Sequence, residues 1–191
     1  MDLVNLHRRT VESWATQVAA VRADQWGDPT PCEEWDVRDL VNHVVGEGRW
    51  TAPLLRGKTI ADVGSQFDGD LLGDDPIGAA RSAADEAIAA AAELVPAGGI
   101  VHLSYGDDDM AEYVNQLAAD HLIHGWDLAK GISGDTTLDP ELVAAVGVWF
   151  AEHEDSYRAA GAIGPRVQLT GDAQTDLLAA FGRRADWTPP R

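Results

Sequence analysis

Asp120-His121-Leu122-Ile123-His124-Gly125-Trp126-Asp127 is the stretch that decides how this chain is read. Asp120 and His124 are four residues apart. In a helix that spacing turns them about 40° apart on one face, one turn above the other. A second stretch, Val41-Asn42-His43-Val44-Val45, follows a strong helix start and offers a third ligand-type side chain. Two imidazoles and a carboxylate from two helices make a cation site. No histidine-serine-aspartate order, phosphate loop or dinucleotide fingerprint competes with it.

Working outward, the periodicity around these stretches is helical. Met110 to Lys130 reads as one helix, capped by the acidic run Asp107-Asp108-Asp109 and ended by Gly131. His43 lies in a helix running to about Leu55, with Asp36 as N-cap and Asp39 three residues on, a variant of the capping box. A first helix is expected over Asp2 to Trp26, broken by Gly27-Asp28-Pro29-Thr30-Pro31-Cys32. Gly57 to Pro76 reads as a long surface loop. The alanine-rich run Ile77 to Val95 predicts a third main helix, stopped by Pro96-Ala97-Gly98-Gly99. Gly99 to Tyr105 could be briefly extended. Asp139-Pro140 starts a fifth helix to about Ala160, and Ala173 to Gly182 gives a final one. Pro165-Arg166-Val167-Gln168-Leu169 could pair as a short strand. The pattern is all-α: a four-helix bundle with additional C-terminal helices and at most a short strand, read as one domain over residues 1–191.

Composition narrows the function. The 191 residues carry a net charge of −18, and the pI is near 4.4. Such a surface repels phosphate backbones and anionic lipids, so neither nucleic acid nor membrane is expected as a partner. The single cysteine, Cys32, excludes an intrachain disulfide and a multi-cysteine zinc knuckle. The charged first turns after Met1 predict no signal peptide, and no apolar run reaches the roughly 18 residues of a spanning helix. The expectation is a cytoplasmic, soluble protein.

On a helical wheel, Tyr113, Leu117, Asp120 and Leu128 fall within roughly 40° of His124, at the seam between an apolar and a polar face. His43 sits at a similar seam. His121 points about 60° away, deeper into the apolar sector, and reads as a packed histidine with a backbone or carboxylate partner, although it could replace Asp120 as a ligand. Glu47, one turn after His43, and Asp127, just after His124, could each orient an imidazole. An exposed helix charge is the plainer reading, above all for Asp127. Arg49, Arg56 and Arg166 are candidates for gripping a carboxylate, each with a solvated surface charge as the alternative. Trp35, Trp50 and Trp126 read first as core packing. Cys32 reads as structural, because Asp36 and nearby glutamates oppose a thiolate.

Thr30-Pro31-Cys32-Glu33-Glu34-Trp35-Asp36-Val37-Arg38-Asp39-Leu40-Val41-Asn42-His43 resembles the N-terminal signature of mycothiol-dependent maleylpyruvate isomerase-like proteins. Asp-x-x-x-His-Gly-Trp-Asp-Leu-Ala, Asp120 to Ala129, resembles their second signature. Leu177 to Arg184 resembles the closing segment of a single-domain actinobacterial branch. The resemblance implies a DinB-like four-helix bundle of the metal-binding superfamily. It also implies a divalent metal, often zinc, on His43, Asp120 and His124. The isomerase uses a glutamate where Asp120 stands, and a separate C-terminal domain supplies it with a catalytic arginine. This sequence is too short to include that domain, so maleylpyruvate is not implied as the substrate.

Three protein ligands leave a coordination position open, the pattern of a catalytic rather than a structural zinc. Ferrous iron or nickel would accept the same donors. By resemblance, the expected partners are a small-molecule thiol such as mycothiol, as co-substrate, and an electrophile. That makes a thiol transferase or isomerase-like enzyme, and the alternative is a non-catalytic metal- or thiol-binding stress-response protein. Bundles of this kind often pair as homodimers.

Overall fold

The reciprocal cap expected before His43 forms as drawn. Asp36 Oδ1 accepts from the Asp39 amide at 2.9 Å, and Asp39 Oδ2 accepts from the Asp36 amide at 3.4 Å. These two bonds satisfy amides that a helix start leaves without partners. They fix the first turn of the helix that carries His43.

This computed structural model describes residues 1–189. Among them the helices are α1 (Leu3–Ala19), α2 (Val37–Leu55), α3 (Ile60–Val63), α4 (Pro76–Leu94), α5 (Met110–Gly131), α6 (Pro140–Ala159) and α7 (Ala173–Ala180), with one turn of 3-10 helix at Val95–Ala97. An antiparallel hairpin, β1 (Ile100–Leu103) and β2 (Gly106–Asp109), separates α4 from α5, with Ile100 opposite Asp109 and Leu103 opposite Gly106. No helix here is long and apolar enough to cross a membrane.

α1, α2, α4 and α5 form the bundle. α5 packs on α1 and α2, while α4 covers the opposite sides of the same two helices. α6 and α7 then pack beside α5, so α5 is enclosed on most of its circumference. One apolar cluster joins Trp14, Leu40, Val41, Val44 and Leu128 inside the bundle. A second joins Leu122, Trp126, Val146, Phe150 and Phe181 between α5 and the C-terminal helices. Small residues permit the closest approaches. A Cβ at Gly48 would stand 3.3 Å from the Ala83 methyl of α4.

Four sequence expectations need correction. α1 ends at Ala19 rather than near Trp26, because Ala20 to Asp28 folds into successive turns, with Gln25 bonding the Arg22 amide and the Ile132 carbonyl. The surface loop contains the single turn α3, capped by Thr59 and Asp62. The acidic run before α5 is itself a strand; only Asp109 serves as the cap, accepting from the Ala111 amide. Pro165–Leu169 forms no strand. It lies irregularly against the C-terminal helix, with the Val167 amide donating to the Ala179 carbonyl at 3.1 Å.

Candidate metal centre

His43 comes from the middle of α2, and Asp120 and His124 come from successive turns of α5. The packing of those helices brings all three together. The ligand-type atoms of His43, Asp120 and His124 lie within 4.8 Å of one another. His124 Nε2 is 3.3 Å from Asp120 Oδ1, and His43 Nε2 is 3.7 Å from Asp120 Oδ2. The two rings stand edge to face with centroids 5.2 Å apart. Trp35 lies against the His43 ring at 4.7 Å, so this tryptophan, half-buried and packed on the bundle core as read, also walls the site. Trp126 is core, as read, and Trp50 meets Phe67.

Asp120 Oδ2 is the atom that needs explaining. It is closed off from solvent and has no hydrogen-bond partner. A buried acceptor without a donor costs on the order of 1–3 kcal/mol, and more when charged. For tetrahedral zinc with bonds of about 2.0–2.1 Å, neighbouring donor atoms stand about 3.3 Å apart. The 3.3 Å from His124 Nε2 to Asp120 Oδ1 matches that spacing, and the 3.7 Å from His43 Nε2 to the other oxygen, Oδ2, is somewhat longer. The donor set therefore fits a divalent ion.

Behind His124 lies a second layer. Asp127 has no exposed surface, which overturns its reading as a helix charge. Its Oδ2 sits 3.0 Å from His124 Nδ1. Arg183, arriving from beyond α7, bonds both carboxylate oxygens: Nε at 3.0 and 3.1 Å, and Nη2 at 2.8 Å. The Cys32 thiol donates to Asp127 Oδ2 at 3.2 Å and lies 3.4 Å from Arg183 Nη2. Cys32, His124 and Asp127 thus form a further group whose ligand atoms lie close enough to hold a metal ion.

The electrostatics follow from this crowding. Burial works against charge on Asp127, but His124 and Arg183 outweigh it and hold the carboxyl below the usual range. Burial likewise opposes charge on Asp120, and the two imidazoles drive its pKa well below normal. His124 is the counterpart. Burial disfavours its cation, yet Asp120, Asp127 and Cys32 raise its pKa well above the ordinary value. Glu47 moves the other way: burial and then the Asp120 charge push it up, though the imidazoles pull against them.

The site opens into a cavity of about 750 Å³. His43, Glu47, Asp120 and His124 line one side. Trp149 and Tyr157 of α6, with Ile163 and Phe181 from the C-terminal segment, line the other. None of the three arginines proposed from sequence reaches it. Arg49 pairs with Glu86 and Arg166 with Glu154, while Arg56 is exposed outside the cavity. His121 is not among the clustered groups. Its Nδ1 meets the Leu117 carbonyl at 2.7 Å and its ring packs against Trp14, as a core histidine does.

Residues 7–129 match the family described as the mycothiol maleylpyruvate isomerase N-terminal domain. The chain belongs to this family. Two similar relatives, both from Mycobacterium tuberculosis, are uncharacterized protein Rv0738 (strain ATCC 25618 / H37Rv) and uncharacterized protein MT0763 (strain CDC 1551 / Oshkosh). Each is 35% identical over 150 residues, covering 74% of this chain and 74% of the relative. No solved structure matches the chain. The matched family region contains His43, Asp120, His124, Cys32 and Asp127. It stops before the wall formed by Trp149, Tyr157, Ile163, Phe181 and Arg183.

Sequence reasoning missed Arg183 and misplaced Asp127 for one reason. They are 56 residues apart, and each is explicable only with the other. The signal that was available is the Asp127 position itself, three residues after His124 on the same helix.

Proposed function

We propose that this protein is a divalent-metal-dependent enzyme of the thiol transferase or isomerase-like type. In this reading His43 Nε2, Asp120 and His124 Nε2 hold the ion. The observation that carries it is Asp120 Oδ2, a shielded carboxylate oxygen with no proton donor bonded to it, which has His43 Nε2 3.7 Å away while the other oxygen of the same carboxylate stands 3.3 Å from His124 Nε2. The group of Cys32, His124 and Asp127 is the weaker holder, because the Arg183 guanidinium already lies on Asp127 and Cys32 as its cation.

A bound divalent ion with an open position would supply Lewis acidity, lowering the pKa of a thiol or water ligated there. The chain's own side chains do the rest. Asp127 accepts from His124 Nδ1–H, so that once Nε2 gives up its proton its lone pair would be free for an ion; such a partner fixes both tautomer and ring orientation. Arg183 keeps Asp127 ionised and in place. Trp35 covers the His43 ring and limits solvent access to it. Glu47, with its raised pKa and its place in the cavity wall, can exchange a proton with a guest. Family membership supports the choice of thiol: mycothiol, or a similar low-molecular-weight thiol, with an electrophile as the second substrate.

The test is zinc content and turnover on the same samples. Wild-type protein saturated with zinc and desalted is expected to hold about one ion per chain, and His43→Ala to lose most of it. Mycothiol-dependent conversion of model electrophiles is expected to fall with the metal. Equal zinc in wild type and His43→Ala would overturn the ligand set. Zinc retained without any turnover would instead favour a binding protein.

A further inference from the structure

The cavity combines a crowded polar end with a wall of rings and aliphatic side chains, and the charged groups there that lack a partner of opposite sign are acids. Among the described residues that line it, Arg183 is the only arginine or lysine. That guanidinium is committed: it makes three bonds to Asp127, and its Nη1 donates to the Phe181 carbonyl at 3.2 Å. Glu33 and Glu47 face the same space without a cation bonded to them. A guest carboxylate lying along the far wall would therefore meet acids and no free positive partner.

The far wall is shaped for a ring. Trp149 and Tyr157 stand edge to face with centroids 6.0 Å apart. Both Trp149 orientation and loop position are pinned. Trp149 Nε1 donates to Glu112 at 2.9 Å, and Glu154 holds Arg158 and Arg166 on either side of the Ile163 loop. A deeply buried neutral donor is available. Tyr113 lines the cavity, is 4 % exposed, and its hydroxyl has no hydrogen-bond partner. A phenol held protonated by burial can donate to a carbonyl oxygen without needing a charged guest.

We infer that the electrophile taken by this cavity is an uncharged, ring-sized apolar molecule bearing a neutral acceptor oxygen, and that carboxylated substrates are rejected. The inference rests on the proposed reaction site but concerns only the part of the guest away from the metal-type cluster. The apolar wall that would take the ring, Trp149, Tyr157, Ile163 and Phe181, lies beyond the family-matched stretch, whereas Tyr113, Glu33 and Glu47 lie within it.

The experiment uses two molecules of nearly equal shape, 2-acetonaphthone and 2-naphthoate, titrated into metal-free protein at pH 7.5 and followed by calorimetry or tryptophan fluorescence. Circular dichroism confirms that every variant keeps its helix content. The ketone is expected to bind at least about tenfold more tightly than the carboxylate, the factor that a modest charge repulsion and one hydrogen bond supply together. Tyr113→Phe is expected to weaken the ketone about fivefold and leave the carboxylate unchanged, and Glu47→Gln to strengthen the carboxylate selectively. Equal or tighter binding of 2-naphthoate overturns the inference, and so does failure of both molecules to bind at millimolar concentration. Because the titration needs no metal, its outcome is separable from zinc loading. A sample that takes up no zinc but prefers the ketone would sink the metal reading alone.

Discussion

Replacing Arg183 by methionine isolates the layer behind His124. The substitution keeps much of the side chain's length and removes the charge. Asp127 is fully buried, whereas the Arg183 side chain is 20% exposed, so the carboxylate loses its main counter-charge and cannot turn to water. Removing one partner of a buried pair costs about 3–5 kcal/mol, and the partial exposure of Arg183 places the expectation near the low end, about 3 kcal/mol. For a protein of this size each kcal/mol moves the melting temperature by about 2–4 °C, so Arg183→Met is expected to melt about 6–12 °C lower. Asp127→Asn leaves a guanidinium that still reaches solvent and should cost less. The double variant removes both charges and is therefore expected to be more stable than Arg183→Met alone. Thermal and urea unfolding of the four proteins, followed by circular dichroism, closes the cycle. A loss under about 1 kcal/mol for Arg183→Met, or simple additivity in the double variant, would refute the idea that this pair neutralises a buried charge.

Three other expectations follow from the same structure. His7 is buried with neither ring nitrogen bonded, and its pKa is lowered to about 3 by burial and by His121. The folded state thus refuses a proton that the unfolded chain accepts below about pH 6.5, and stability falls as pH drops, by about 1.4 kcal/mol per unit from this group. His7→Leu should therefore flatten the stability profile between pH 6.5 and 4.5, recovering about 2–3 kcal/mol at the acid end relative to neutral pH; parallel profiles would contradict this. A Cβ at Gly131 would lie 3.2 Å from the Pro29 carbonyl oxygen and 3.3 Å from Val37, so Gly131→Val should push the Trp35 loop off α5 and cost about 1–3 kcal/mol in urea unfolding. Since the Asp120 and Asp127 carboxylates hold a proton on His124, zinc binding near neutral pH should release about one proton, read by calorimetry in buffers of differing ionisation enthalpy; buffer-independent heats would contradict it.

The sequence carried the bundle and the clustering of His43, Asp120 and His124 because both are written in local spacing. Asp36 with Asp39, Asp139-Pro140 and the alanine run of α4 mark helices without reference to the rest of the chain. Asp120 and His124 share a face whatever surrounds them. Features that depend on distant partners were not legible. Gly106–Asp109 has little strand propensity and is extended only because Ile100–Leu103 pairs with it. Asp127 is an acid that spacing alone would send to solvent, and it is buried only because Arg183 arrives from the C-terminal segment. Cys32 looked unsupported beside its neighbouring acids, yet its loop docks on α5 where Gly131 leaves room, bringing the thiol to 3.2 Å from Asp127. Helical wheels placed His121 in the core, where the Leu117 carbonyl receives it.

Crystals grown with zinc, measured on both sides of its absorption edge, give the most direct test of the central claim. The expected result is one anomalous peak between α2 and α5, about 2.0–2.2 Å from His43 Nε2, His124 Nε2 and an Asp120 oxygen. A peak on the Nδ1 side of His124, bonded to Cys32 and Asp127 with Arg183 displaced, would contradict it, as would no ordered ion at any of these groups.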